Sequence, residues 1–514
     1  MRGASSLAAV AGLGALVLGL QIHSGAYRSD FDLTPDEPAH VVSTLMVRDY
    51  LLSGNLLHPW EFAKAYYIHY PKVAILHWPP LFYAAEALWT LAAGRSRLGL
   101  LMFQAAAGSA LAAGLFFLLR VRYGFWIALC SAILFVTTSL VQMSTAMISP
   151  DLLLGGLVFW AAVTYANKWE TRSGRWIVWV LAGCAIATHG RGVAFLMVPL
   201  LAPLFLKGRA AARPVLLVLA LLVFATIPHF FGQAFPSTPH GILWNAAAYL
   251  QLLVSGVRWP VLAAALLGVW TVGRSPRSNT LATVMMVAAL GCWIFHSLVN
   301  AGLANYYLIT AVPPVIVLAA AGVNHLLQRL PKPWWRIPVA GVALGIAVVN
   351  VTSPALKKDN SALLLTRDDF IYNDPRKIWL VAGSPKVEGT LIADVALRDS
   401  TLQHIVLRAS KMLASSTWFG LGYHLRFRDE DAVCKFLDAA HVGWVIMRVD
   451  DPAPHLRQLS SVVLSNPHTW QRVSASDSLV GWDIFKRAGP LPAGAAKIEI
   501  DMTDKLRTIF RFHE

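Results

Sequence analysis

What most constrains this chain is a succession of apolar runs near 4–22, 79–93, 98–119, 125–146, 152–167, 176–189, 192–206, 214–231, 259–273, 281–299, 306–323 and 337–352. A bilayer core ~30 Å thick takes ~20 mainly apolar residues to cross as a helix. Inside it, only helices and closed barrels satisfy their backbone hydrogen bonds. The composition agrees: 56% of the 514 residues are hydrophobic and only 14% charged, against ~25% charged in an ordinary soluble domain. The expected class is a polytopic α-helical membrane protein. A single soluble domain, a disordered chain and a disulfide-stapled secreted module are excluded. The four cysteines, Cys130, Cys184, Cys292 and Cys434, form neither a disulfide framework nor a CxxC metal pair.

Orientation follows from where the net charge of +15 falls. The segments RVRYG (120–124), NKWETRSGR (167–175), KGRAAARP (207–214), GRSPRSN (273–279) and NHLLQRLPKPWWR (324–336) are short and basic, whereas the alternate segments carry few net charges. Basic loops stay on the cytoplasmic side, which puts the amino terminus inside and everything after 352 outside. Nucleic acid is not needed to explain the charge. The first run, preceded by Arg2, looks like a signal peptide but ends in a weak cleavage site, and is read as a retained span. Run 79–93 opens His77-Trp78-Pro79-Pro80 and is short, so a re-entrant or interfacial helix preserves the charge rule. Segment 176–206 reads as two short helices meeting at a recessed ATHGRG loop. The expected total is about eleven spans.

The expected layout is a transmembrane domain over 1–352, with a first outward loop over 23–78, then an outward-facing soluble α/β domain over 353–490 and a tail over 491–514. In the α/β region LIADVAL (391–397), WVIMRV (444–449) and GWDIF (481–485) read as strands, and 429–442 as a helix with Asp429 at its N-cap. The tail carries no clear signal.

Few residues offer chemistry. The first outward loop holds Asp30, Asp32, Asp36, Glu37 and His40 in SDFDLTPDEPAH. Carboxylates beside a membrane are costly unless solvated or paired, so a base or a metal site is one reading. The other is a helix start with Thr34 as N-cap, Pro35 at N1 and Glu37 as capping-box partner; the two are compatible. Asp151 opens an apolar span, where an acid also suits the helix dipole. Arg191, in Thr188-His189-Gly190-Arg191-Gly192, needs a counter-charge, because Arg at mid-bilayer costs ~2.5–3.5 kcal/mol or more. Either a lipid-linked phosphate, which guanidinium binds in a bidentate way, or an internal pair with Asp151 or Glu86 supplies it. Asn305-Tyr306-Tyr307 opens a late span, where interfacial tyrosines are expected in any case. His58, His69 and His77 lack metal-ligand spacing such as HExxH.

Taken in order, the acidic pair Asp36-Glu37, HWPPLFY (77–83), the Gly- and Ala-rich RLGLLMFQAAAGSALAAGLFFLLRVRYG (97–124), SPDLLL (149–154) and ATHGRGVAFLMVPLL (187–201) resemble the GT-C glycosyltransferases. The resemblance is to the branch of protein O-mannosyltransferases and lipid A aminoarabinose transferases, and covers roughly 1–330. Family members often read Thr-Lys-Gly where this chain has Thr188-His189-Gly190, and often carry an Arg where it has Asn305-Tyr306. The resemblance implies an inverting transfer of a sugar from a polyprenyl-phosphate carrier to a glycan, lipid or protein acceptor, on the outer face of a bacterial inner (plasma) membrane. It implies Asp36 as general base, with Glu37 orienting Asp36 or the acceptor. Asp151, His189, Arg191, Tyr306 and Tyr307 would meet the donor's phosphate or sugar. No cofactor or metal is implied, and the only other partners are membrane lipids. The rival readings are a transporter or flippase of lipid-linked sugars and a non-catalytic scaffold.

Overall fold

The computed structural model describes residues 2–54, 56–206, 241–274, 279–298, 303–330, 334, 336–352, 360–415, 422–448, 453–473, 481–502 and 509–513. In chain order the helices are α1 (Arg2–His23), α2 (Glu37–Leu52), α3 (Pro59–His69), α4 (Leu81–Ala93), α5 (Arg97–Tyr123), α6 (Phe125–Thr137), α7 (Ser139–Ala146), α8 (Asp151–Lys168), α9 (Arg172–Thr188) and α10 (Met197–Phe205). They continue with α11 (Ile242–Val257), α12 (Trp259–Arg274), α13 (Thr280–Leu298), α14 (Val312–Arg329) and α15 (Arg336–Thr352). Contacts divide the chain into two compact units. One holds Met1–Ser24, Trp78–Phe82 and Leu101–Lys357; the other holds Gly25–His77, Tyr83–Leu100 and Lys358–Glu514. The units therefore do not follow the consecutive blocks 1–352 and 353–490: the acidic first loop belongs with the carboxyl-terminal region.

The first unit is a helical bundle. Its outer surface exposes Val121, Trp126, Trp176, Trp259 and Val342, while Phe116, Phe135 and Phe159 are fully buried. Large exposed apolar side chains are what a lipid-facing surface requires. Four described helices are long and apolar enough to cross a membrane: Ala4–His23, Arg97–Tyr123, Thr280–Leu298 and Asn305–Arg329. Two bent pairs, Phe125–Thr137 with Ser139–Ala146 (58°) and Ile242–Val257 with Trp259–Val272 (109°), raise that to six. This is fewer than the eleven expected from the apolar runs. Several of those runs form helices of 13 to 17 residues, which at 1.5 Å per residue fall short of a ~30 Å core. Run 214–231 lies outside the described residues.

Local chemistry explains the joints. α5 ends on Arg120 and Arg122, cations that suit the negative end of a helix. Gly124, at φ 87°, turns the chain into α6, a conformation that glycine adopts without strain. Thr171 caps α9 by accepting from the Gly174 amide at 3.0 Å. The buried Gln21 amide ties α1 to the Leu101 and Thr145 carbonyls at 3.0 and 2.7 Å. α12 and α14 cross so closely that a Cβ on Gly268 would sit 2.1 Å from the Leu318 carbonyl oxygen, and one on Gly322 2.1 Å from that of Ala264. Small residues let membrane helices approach in this way.

The second unit is built on a five-stranded sheet of β1 (Ile378–Ala382), β2 (Ile405–Arg408), β3 (Trp444–Arg448), β4 (Trp470–Val473) and β5 (Trp482–Arg487), in the order β2-β1-β3-β5-β4. β1 runs parallel to both neighbours, with Leu380 opposite Leu407 and Val445. β5 is antiparallel to β3 and to β4. All five residues of β1 are buried, as in a strand covered on both faces. The strands expected at WVIMRV and GWDIF are β3 and β5, and Asp429 caps the helix Glu430–Ala439 by accepting from the Ala432 amide at 2.8 Å. LIADVAL is not a strand. It forms the second half of α17 (Pro385–Arg398), which follows α16 (Ser361–Arg367). Ser384 accepts from the Val387 amide and Pro385 occupies N1, so the helix is set up six residues upstream of the apolar stretch. Within the tail, Lys497–Asp501 and Ile509–His513 pair as an antiparallel hairpin.

The first loop is fastened into this unit. Tyr70 donates to Asp399 at 2.6 Å, and His404 Nδ1 lies 3.1 Å from the same oxygen. Burial opposes the Asp399 charge, yet the hydrogen bonds from His404 and Tyr70 hold its carboxyl below the usual carboxylate range. Arg95 donates to the Ala396, Leu397 and Asp399 carbonyls at the end of α17 and pairs with Asp49, a cation placed where the helix leaves its acceptors unpaired.

Candidate functional site

In the second unit the acidic site sits at the start of α2. Asp36 is the N-cap residue and is half-buried, whereas Glu37 is fully buried. Thr34 Oγ1 accepts from the Glu37 amide at 3.2 Å, and Glu37 Oε2 accepts from the Leu33 amide at 2.9 Å. This is the reciprocal logic of a capping box, with its return bond one residue earlier than the Thr34 amide expected from the sequence, and with the helix opening at Glu37. Glu37 is thus committed to holding the turn, while the turn presents Asp36.

Behind Asp36 runs a polar stripe of which the sequence pointed to His40 but not to Thr44 or Tyr83. His40 and Thr44 follow Asp36 at helical spacing of four, so the three share one face of α2. His40 Nδ1 lies 2.8 Å from the Tyr83 hydroxyl, and Thr44 donates to Glu86 at 2.6 Å. All four of these side chains are buried, and Tyr83 is within electrostatic reach of both Asp36 and Glu86. The signal available in the sequence was a His and a Thr at i+4 and i+8 from an acid, in the largely apolar first half of the helix.

The first unit gathers the other predicted residues. Asp151 is the first residue of α8, and its Oδ1 accepts from Arg191 Nη2 at 2.6 Å, with both side chains under 10% exposed. Of the counter-charges weighed for Arg191, Asp151 is the one it meets. Its backbone N and Nε both approach His189 Nδ1, at 3.1 and 3.3 Å. His189 therefore accepts at Nδ1, which assigns its proton to Nε2. The turn that aims Arg191 is a 3-10 segment, Gly190–Leu196, folded back on α9. A Cβ on Gly192 would lie 2.4 Å from the Ala185 carbonyl carbon, so only glycine fits. The guanidinium lies 4.4 Å from the Tyr307 ring centroid and 5.7 Å from that of Tyr306, within cation–π range.

Two further residues join this cluster without having been expected. His296 stacks on Tyr307 at 5.6 Å and 17°, and Tyr249 packs against His296 at 5.6 Å. Embedded in the apolar helix α13, His296 gave no sequence signal. Its Nδ1 and the Nη1 of Arg191 are buried without a hydrogen-bond partner among the described residues. Such groups cost ~1–3 kcal/mol each, and more when charged. No group of three or more His, Cys, Asp or Glu among the described residues is placed to hold a metal ion.

Residues 77–231 match the family model of dolichyl-phosphate-mannose-protein mannosyltransferases. In three dimensions the chain is similar to ArnT from Cupriavidus metallidurans in the apo state (13% identity, 95% of this chain and 99% of that one, TM-score 0.63). It is similar to the same protein bound to undecaprenyl phosphate (14% identity, 94% and 99%, TM-score 0.61). It also resembles the Archaeoglobus fulgidus oligosaccharyltransferase in complex with Zn and sulfate (11% identity, 92% and 73%, TM-score 0.52). No curated protein sequence matches the chain. The shared architecture is the GT-C glycosyltransferase fold.

Proposed function

We propose that this chain, a membrane protein with the GT-C glycosyltransferase fold, moves a sugar from a polyprenyl-phosphate carrier to an acceptor hydroxyl on the outer face of a bacterial plasma membrane. The observation that carries the reading is Arg191, a costly membrane cation held by Asp151, with a further guanidinium N–H unsatisfied among the described residues beside Tyr306 and Tyr307. A lipid-linked phosphate is the chemistry that would complete it. The fold supports this choice, since a protein sharing it binds undecaprenyl phosphate.

In the proposed reaction Asp36 takes the proton of the acceptor hydroxyl as its oxygen bonds to the anomeric carbon. The carbon–phosphate oxygen bond breaks on the opposite face, the electron pair leaves with the phosphate, and the anomeric centre inverts. Arg191 stabilises the charge that grows on the phosphate. Asp151 fixes the guanidinium, and His189 acts through Arg191 by accepting its N–H groups. Glu37 contributes by holding the turn that presents Asp36. The basic loops support an orientation with 25–77 and the carboxyl-terminal α/β region on the acceptor side, and the lipid tail would remain in the bilayer.

The test is turnover of a radiolabelled polyprenyl-phosphate sugar. The wild type is expected to release free lipid phosphate in step with transfer, which a transporter or a scaffold does not do. Asp36→Asn should abolish transfer while donor binding survives, and wild-type turnover by that variant refutes the base. Arg191→Ala should chiefly weaken donor binding; an unaltered affinity removes its phosphate role.

A further inference from the structure

The acidic loop is gripped residue by residue by groups outside it, all within the second unit. Asp30 caps α16, accepting from the Ala362 and Leu363 amides at 3.0 and 2.8 Å. The Phe31 carbonyl accepts from Thr390 Oγ1 on α17 at 3.2 Å, and Asp32 pairs with Lys386 at 3.1 Å. The Phe31 ring lies 3.7 Å from the guanidinium carbon of Arg97, the first residue of α5. Arg97 is in turn ion-paired with Asp394 on α17, and the two side chains are 8% and 1% exposed.

We infer that Arg97 and Asp394 are positioning residues for the transfer reaction: this buried pair fixes Phe31, and through it the turn that delivers Asp36. The inference rests on Asp36 being the base. Two ions buried together are no bargain for stability, since apolar side chains of similar volume pack at least as well. The pair provides orientation: a flat cation held in one plane over Phe31, five residues before Asp36.

The charged groups facing Asp394 are Arg97 from α5, Asp30 from the loop and Glu37 from α2. Burial pushes the Asp394 carboxyl up, Arg97 pulls it down, and Asp30 and Glu37 push it up again, to about 7. The pair is therefore ionic above neutrality and loses its carboxylate charge below it. Turnover should fall as pH drops through ~7, on a limb separate from any due to a carboxylate base with an ordinary value of ~4.

The experiment measures kcat and donor KM of the full-length enzyme from about pH 5 to about pH 9. Asp394→Asn is expected to lose about 10–100-fold in kcat at alkaline pH with little change in KM, the scale of a misplaced catalytic group, and to lose the limb near neutrality. Arg97→Lys keeps the charge without the flat face and should show a smaller loss in kcat with the limb retained. Wild-type kcat and an unchanged limb in Asp394→Asn overturn the inference, as does a variant that loses only folded protein while each folded molecule turns over normally. If Asp394→Asn does not fold, an unaltered kcat in Arg97→Lys overturns it. Asp36→Asn assayed alongside separates the two ideas. Its retained turnover removes the base, whereas Asp394→Asn alone reports on positioning.

Discussion

Asp151 and Arg191 stand 40 positions apart and meet as a buried ion pair, and the pair makes unequal demands on its two members. Removing one strands the other's charge, so Asp151→Ala should destabilise the protein by ~3–5 kcal/mol. Replacing both, as Asp151→Leu with Arg191→Met, should recover most of that stability while donor binding stays lost. Thermal unfolding in detergent beside a donor-binding assay checks both halves. Asp394 behaves differently. Its proton is held more tightly folded than unfolded, so the stability it contributes is full below ~4 and is lost as pH rises through about 7. Asp394→Asn should therefore flatten the pH dependence of melting between about 4 and about 7 even as it loses turnover, which calorimetry and kinetics on the same sample can establish. Residues that the membrane makes expensive were legible in the sequence: Arg191 demanded a counter-charge, and four carboxylates stood beside a span, among which only the family resemblance singled out Asp36. Their partners were not, because the choice between Asp151 and Glu86 depends on how helices are set against each other. His296 was silent for the same reason, one imidazole in an apolar helix.

The turn after α9 shows how a short element can decide where a charge points. With Gly192 against the Ala185 backbone, Gly192→Ala must open the 3-10 segment and carry Arg191 with it. The expected result is weaker donor binding and a lower yield of folded protein, while Gly183→Ala, where a Cβ meets nothing within 4 Å, should leave both unchanged. Sequence periodicity located this knot between two short helices but not its tight return. Periodicity also misread LIADVAL. A run of seven apolar-rich residues fits a buried strand or half a helix equally well, and the deciding signal, Ser384-Pro385, lay upstream. Strands β3 and β5 were legible because each combines aromatic and β-branched residues in a run that ends where it begins to turn polar.

At the scale of the whole molecule, composition separated greasy from mixed sequence near 352, but the compact units follow contacts instead, and the acidic loop falls with the α/β region. The contacts responsible join residues about 300 positions apart, such as Tyr70 with Asp399 and Arg95 with the end of α17, and no local pattern announces such pairings. A chain ending before Lys358 should therefore keep the Asp151–Arg191 cluster and bind donor, yet fail to transfer, although Asp36 is present. Lipid-donor binding and turnover of that truncation, measured together, decide the point.

The interleaving has a consequence for how the protein is made. Between Leu100 and Lys358 the ribosome must add the whole of Leu101–Lys357, which at ~5–20 residues per second takes roughly 13–50 s. For that interval the acidic loop and Arg97 have been synthesised, and the α16 and α17 segments that grip the loop have not. Each newly made molecule thus passes through a stage in which the acidic loop exists without Lys358–Glu514, the rest of its compact unit. Completion of the carboxyl-terminal region then serves as the step that finishes this unit, and if Asp36 is the proposed base, prematurely terminated chains should bind donor without transferring its sugar.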